Sequence, residues 1–230
     1  MRFDVCAHTY DEHAGPQRFF AERVAQFIDA KPTETILELG AGTGALTRWF
    51  GGLTVLATDA SPTMVQRGRV AVPQVQWAAL DAFQQSPPIV ALQVSSGLLH
   101  WADDPAATLV RWKTSLASHG RMVHAMPCEP CLAEWRALVP ESPVPWRGED
   151  EWLKIFECAG LRVSRWESWT HAAVCASALE MVRGFHRTGV TGRVRVGPGR
   201  LRQALREYDA KQQVPGGVQA TWTWLVVEAR

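Results

Sequence analysis

The sequence predicts an α/β fold: a mostly parallel seven-stranded sheet with helices on both faces and a helical lid. Two observations predict it. Strand-like apolar runs alternate with segments of helical periodicity along most of the 230 residues. The apolar run at 35–39, TILEL, opens directly into the glycines of GAGTG, and a second run delivers Asp59 about 20 residues further on.

Each element has a local reason. Pro16 suits the first position of a helix on which Phe19, Phe20, Val24, Phe27 and Ile28 recur at helical spacing. Strands are expected at 35–39, 53–58, 75–79, 89–95, 121–126, 161–169 and 220–229. Ser61-Pro62 and Asp104-Pro105 each join a capping side chain to a proline at the first helical position, and so start two of the intervening helices. Gly160 closes a helix from about Glu149, and VPGG at 214–217 turns into the last strand. The stretches 128–147 and 176–213 fit no minimal alternating sheet. They are expected as lid or substrate-binding insertions of a single domain over 1–230, above the carboxyl ends of the strands, where open α/β sheets bind ligands.

The glycine turn defines the ligand. Gly40, Gly42 and Gly44 permit positive φ and remove the Cβ atoms that would collide with a bound molecule. The spacing is GxGxG rather than the GxGxxG of a dinucleotide turn, and Glu38 stands two residues ahead of it. A carboxylate there repels a pyrophosphate and attracts an ammonium group. S-adenosylmethionine carries that ammonium and no phosphate. Asp59, at the end of the second strand, suits two ribose hydroxyls, and Asp81, just after the third, suits the adenine amino group. The segment SSGLLHWADDP, with Ser95 and Leu98, is expected against the methionine half of the cofactor. In it His100 is a general-base candidate and Trp101 a pocket wall.

Composition narrows the remaining classes. A net charge of +1 lacks the basic imbalance of a nucleic-acid or membrane-surface binder. No segment has the roughly 18 apolar residues of a membrane span, and MRFDVCAHTYDEHAG lacks a signal-peptide core, so a cytoplasmic protein is expected. Five cysteines, at 6, 128, 131, 158 and 175, suit a reducing compartment. Cys128 and Cys131 form a single CxxC without the second ligand pair a zinc site wants, so no metal is expected.

Four segments carry a family resemblance: TYDEHAGPQ, LELGAGTG, GLLHWADDP and LEMVRGFHRTGVTG. Together they resemble the malonyl-acyl-carrier-protein O-methyltransferases of biotin synthesis, within the class I S-adenosylmethionine-dependent methyltransferases. Val190 and Gly192 depart from the alanine and asparagine expected in the last segment. The resemblance implies a Rossmann-like class I methyltransferase fold and methyl transfer to the free carboxylate of a malonyl thioester. The partner is then malonyl-loaded acyl carrier protein, or malonyl-coenzyme A. It also implies that Tyr10 and Arg147 handle the acceptor carboxylate and that Gln17 closes over the site, with Ala41 and Ala60 beside the cofactor. Another small carboxylate or natural product as acceptor, or a non-catalytic cofactor-binding subunit, are the competing readings. Seven arginines between 183 and 206, with no acidic residue among them, suit an acidic carrier.

Overall fold

The structure is a computed structural model that describes residues 11–190 and 195–230. Its sheet runs β3-β2-β1-β4-β5-β8-β6, with the two-residue β7 attached to β8 as a hairpin. These are β1 (Thr35–Leu39), β2 (Thr54–Asp59), β3 (Gln76–Ala79), β4 (Val90–Ser96), β5 (Leu116–Pro127), β6 (Val163–Cys175), β7 (Gln213–Val214) and β8 (Gly217–Ala229). The first five are mutually parallel, and β8 runs antiparallel between β5 and β6. The mostly parallel Rossmann-like sheet of the class I methyltransferase fold is therefore present, and β7 adds a short eighth strand.

Period-two burial splits the core between the faces. Ile36, Val55, Leu92, Val94 and Val226 pack under α1 (Gly15–Phe27) through Phe20, Val24 and Phe27. Leu37, Leu39, Met122, Leu225 and Val227 meet α3 (Pro105–Lys113) and α5 (Glu149–Cys158) through Leu109, Trp112, Trp152 and Phe156. Ser61 Oγ accepts from Met64 N at 3.1 Å to start α2 (Pro62–Ala71), and Asp104 Oδ1 accepts from Ala107 N at 2.9 Å to start α3. Gly160, at φ +71°, ends α5: its N–H reaches Glu157 O and that of Leu161 reaches Phe156 O. Pro16 lies one position further into α1 than expected, after Gly15.

Three strands outrun their expected lengths, β8 by starting at Gly217 rather than 220. β5 starts at Leu116 rather than 121 through a register shift against β4 between Val90 and Leu92, and His119 nearby has φ +65°. β6 ends at Cys175 rather than 169 because β8 keeps pairing with it beyond the sheet. Pro127 and Trp169 both face Trp224, so 170–175 and their partners on β8 project as a ribbon of roughly 20 Å. On this ribbon sit α4 (Ala133–Arg136), α6 (Ala178–Arg187) and α7 (Pro198–Lys211). Leu132 and Trp135 share one buried cluster with Met181, Val182, Ala204 and Tyr208, so the two insertions pack against each other. Among the described residues no helix is long and apolar enough to cross a membrane.

Candidate active site

Beyond β1 the chain turns through three glycines of positive φ: Gly40 at +67°, Gly42 at +56° and Gly44 at +92°. Their surroundings differ. A Cβ on Gly40 would lie 3.0 Å from Leu98, and one on Gly44 2.9 Å from Val72, so protein already fills those sides. A Cβ on Gly42 would meet nothing within 4 Å. Gly42 is thus the open side of the turn, free for a ligand. Ala41 is buried, with its N–H on Thr58 O at 2.8 Å, which ties the turn to β2.

The two carboxylates flank this turn. Asp59 Oδ2 accepts from Gly42 N at 2.9 Å and Oδ1 from Ser61 N at 2.8 Å, so the residue holds the glycine turn and the start of α2 together. Glu38 is 2% exposed and accepts from Thr47 Oγ1 at 2.7 Å. Burial pushes its pKa up to about 8, against the opposing pull of that hydrogen bond and with the Asp59 charge adding to the rise.

A pH prediction follows from Glu38. Its folded pKa lies above the ordinary carboxylate value, so ionising it in the fold costs stability as pH climbs from about 4.5 to 8. Glu38→Gln is therefore expected to gain stability over the unsubstituted protein between pH 5 and pH 8, by about 3 kcal/mol. Buried His100 and His124, both held to about 3, slope the other way, so denaturation curves of the two proteins are compared at each pH. A stability difference flat with pH would remove the buried carboxylate as its source.

The other expected cofactor residues are more mixed. Ala60 is exposed beside Asp59. Asp81 follows β3, where Leu80 N reaches Asp59 O at 3.0 Å, and its Oδ1 accepts from Phe83 N at 2.9 Å. Leu98 packs on Gly40. Ser95 differs from expectation: it is fully buried, with Oγ on His124 Nδ1 at 2.8 Å, and its side chain faces the core. Its neighbours Ser96 and Gly97 line the cavity instead. Tyr10 lies outside the described residues. Cys128 and Cys131 are buried thiols raised by burial to about 11 and 12, and no metal-holding group of three or more ligands exists among the described residues.

Between the carboxyl ends of β4 and β5 and the two insertions is a cavity of about 490 Å³, lined by Ser96 and Gly97 next to the Leu98 that packs on Gly40. Trp101, Trp135, Trp146, Trp222 and Trp224 form much of its wall, joined by Phe185, Leu132 and several valines. Gln17, from α1, reaches it too. Polar atoms in this wall lack hydrogen-bond partners although buried: Gln17 Oε1, His100 Nδ1, Trp146 Nε1 and Trp224 Nε1. Arg147 stands beside His100. Its Nε meets Glu151 at 3.2 Å, its guanidinium lies 5.0 Å from the Trp152 ring, and its buried Nη1 has no partner among the described residues. Burial, and then the Arg147 charge, lower the His100 pKa to about 3, so the imidazole is neutral. Sequence reasoning missed most of this wall; the sign it held was eleven tryptophans in 230 residues.

Comparison with known proteins now decides the class. A methyltransferase-domain family model matches residues 37–122, which holds the glycine turn and both carboxylates. The chain carries an S-adenosylmethionine-dependent methyltransferase domain on a class I methyltransferase fold. The methyltransferase is 29% identical to the biotin biosynthesis bifunctional protein BioCD of Bordetella avium over 90% of its own length, and spans about half of that relative, 48%. To the malonyl-[acyl-carrier protein] O-methyltransferase of Herminiimonas arsenicoxydans it is 26% identical, over 100% of this chain and 94% of the other. A trans-aconitate 2-methyltransferase of Mycobacterium marinum shares 27% identity over 69% of this chain and 66% of its own. The YcgJ protein of Bacillus subtilis shares the fold, with a TM-score of 0.68 at 14% identity over 91% of this chain and 96% of the other. The open side of Gly42 and the acid-flanked turn fit the S-adenosylmethionine this class uses.

Proposed function

We propose that the methyltransferase esterifies the free carboxylate of a malonyl thioester on an acyl carrier protein, at the start of the pimelate moiety of biotin. The observation that carries an anionic acceptor is the buried, unpartnered Nη1 of Arg147 beside neutral His100. A buried guanidinium donor wants a carboxylate. Similarity along the full chain to malonyl-[acyl-carrier protein] O-methyltransferases supports malonyl among such anions.

S-adenosylmethionine supplies an electrophilic methyl, and its transfer to a carboxylate oxygen leaves the sulfur neutral and moves no proton. The chain's task is then alignment and exclusion of water rather than base catalysis. Arg147 holds one end of the acceptor, with Tyr10 as a second donor. Asp59 accepts from the ribose hydroxyls, Asp81 from the adenine amino group, and Glu38, which burial keeps largely protonated at neutral pH without a ligand, ionises against the arriving ammonium. Gly42 admits the methionine portion, in a turn that Gly40 and Gly44 shape, beside Ala41, Ala60, Leu98 and the Ser95 backbone. Gln17 and the insertions at 128–147 and 176–213 cover it as a lid.

The test is methyl transfer from labelled S-adenosylmethionine to malonyl carrier protein, malonyl-coenzyme A, trans-aconitate and unrelated acids. Methyl ester formed fastest on a malonyl thioester is the expected result. Preference for trans-aconitate would favour the second reading, another small carboxylate, which the trans-aconitate methyltransferase relative supports.

Part of the arginine-rich stretch is already neutralised. Arg183 pairs with Glu180 and Arg200 with Glu141, while Arg193 lies outside the described residues. Exposed Arg202 and Arg206 on α7 have no ion pair among the described residues. Reversing both to glutamate is expected to lower kcat/KM with the carrier by about tenfold at low salt. Salt should shrink that gap, since steering is screened beyond about 8 Å at physiological strength. Equal losses on a small malonyl thioester would assign these arginines to the fold instead of the carrier.

A further inference from the structure

The malonyl group is too small for the cavity that would receive it. Its six non-hydrogen atoms, at about one water's share of ~30 Å³ each, occupy well under half of 490 Å³. The rest of the acceptor has to account for the remaining wall. That wall is mainly tryptophan, leucine and valine, with Arg136, Glu141 and Arg195 also on it, and is punctuated by N–H groups of Trp146 and Trp224 and by Gln17 Oε1 that have no partner among the described residues. A saturated chain would fill the space and leave those groups unmatched, whereas a sugar would set its hydroxyls against the tryptophans and valines. A chain of short apolar segments joined by amides fits both: carbonyls for the indole N–H groups, an N–H for the glutamine oxygen.

We infer that this cavity binds the pantetheine arm of the acceptor thioester, with Trp146 and Trp224 donating hydrogen bonds to its carbonyls. The inference rests on the reading that the acceptor is a carrier-bound thioester. It also gives the arm a direction. Trp224 stacks on Phe20 at 4.8 Å and presses its ring edge on Gly97, where a Cβ would lie 2.8 Å away. That fixes it at the end of β4, on the cavity wall it shares with His100, where the reacting carboxylate belongs. Trp146 lies under the Arg136 guanidinium, which is 4.6 Å from its ring centre and paired with Glu129, and exposed Arg195, on the same cavity wall, supplies a further cation there. The phosphate end of the arm therefore leaves on the arginine side.

The test uses S-acetyl-pantetheine, which lacks the carboxylate and cannot be methylated, and an amide-free alkyl thioacetate of equal length. Binding is read by calorimetry in the presence of S-adenosylhomocysteine. The expected result is tighter binding of acetyl-pantetheine than of the alkyl thioacetate, with Trp146→Phe and Trp224→Phe each weakening the former by about 3- to 10-fold and leaving the latter unchanged. S-adenosylhomocysteine affinity checks that each variant is folded. Should one of them misfold, Val182→Trp, which fills the cavity from α6, is expected to abolish binding of both probes. Equal binding of the two probes to the unsubstituted protein, or no effect of either phenylalanine variant, overturns the inference. Because neither probe carries malonyl, these outcomes are independent of the acceptor assay: pantetheine binding without turnover of any malonyl thioester would defeat the proposed reaction and leave the arm site standing.

Discussion

Arg147→Ala is expected to lower kcat/KM for a malonyl thioester by about 10²-fold, or ~3 kcal/mol, while affinity for S-adenosylmethionine stays nearly constant. The asymmetry arises because Arg147, with its unpartnered Nη1, is near enough to lower the pKa of the cavity residue His100, whereas the cofactor turn is held by other residues. Arg147 also meets Glu151 and the face of Trp152, so its removal disturbs packing as well as charge. Lysine supplies the control: it keeps the cation but not the planar fork, and should restore only part of the rate. Steady-state kinetics beside a cofactor titration decide the matter. Full activity in the alanine variant would pass the acceptor role to Tyr10 or another lid residue.

Asp59→Ala should instead strike the cofactor. Each charge-assisted hydrogen bond it offers a ribose hydroxyl is worth on the order of 1.5 to 3 kcal/mol, so affinity should fall by about 10- to 100-fold. The structure adds a second route to the same loss. Asp59 also holds Gly42 N and Ser61 N, so alanine frees the glycine turn from the start of α2. Asparagine separates the two effects, since its single carbonyl oxygen can hold one of these N–H groups while the charge is gone. Calorimetry giving unchanged affinity for Asp59→Ala would remove the residue from the site.

The features legible in the sequence were those with a local cause. Glycines of positive φ, proline-led helix caps and apolar strand runs each reveal themselves within a few residues. What stayed hidden depends on distant partners. The extension of β6 to Cys175 carries no hydrophobic signature because most of that strand is exposed, and its order comes from backbone pairing with β8. The cavity draws on residues from 17 to 224, and the one local hint is the i, i+2 pair Trp222 and Trp224 on a single face of β8. Ser95 shows a readable error. Strand alternation puts it with Gln93, opposite Leu92 and Val94, so Ser96 was the residue to choose for the cavity side.

The place of β8 has a consequence for how the protein is made. This strand enters late in the sequence yet lies inside the sheet, between β5 and β6. During synthesis the glycine turn and its two carboxylates emerge from the ribosome well before Trp222 and Trp224 do. Until then β5 and β6 each present an unpaired edge that invites aggregation. Under the proposed function a nascent chain therefore acquires the residues that hold the methyl donor before it has a chamber for the acceptor, and β8 both closes the edges and completes that chamber.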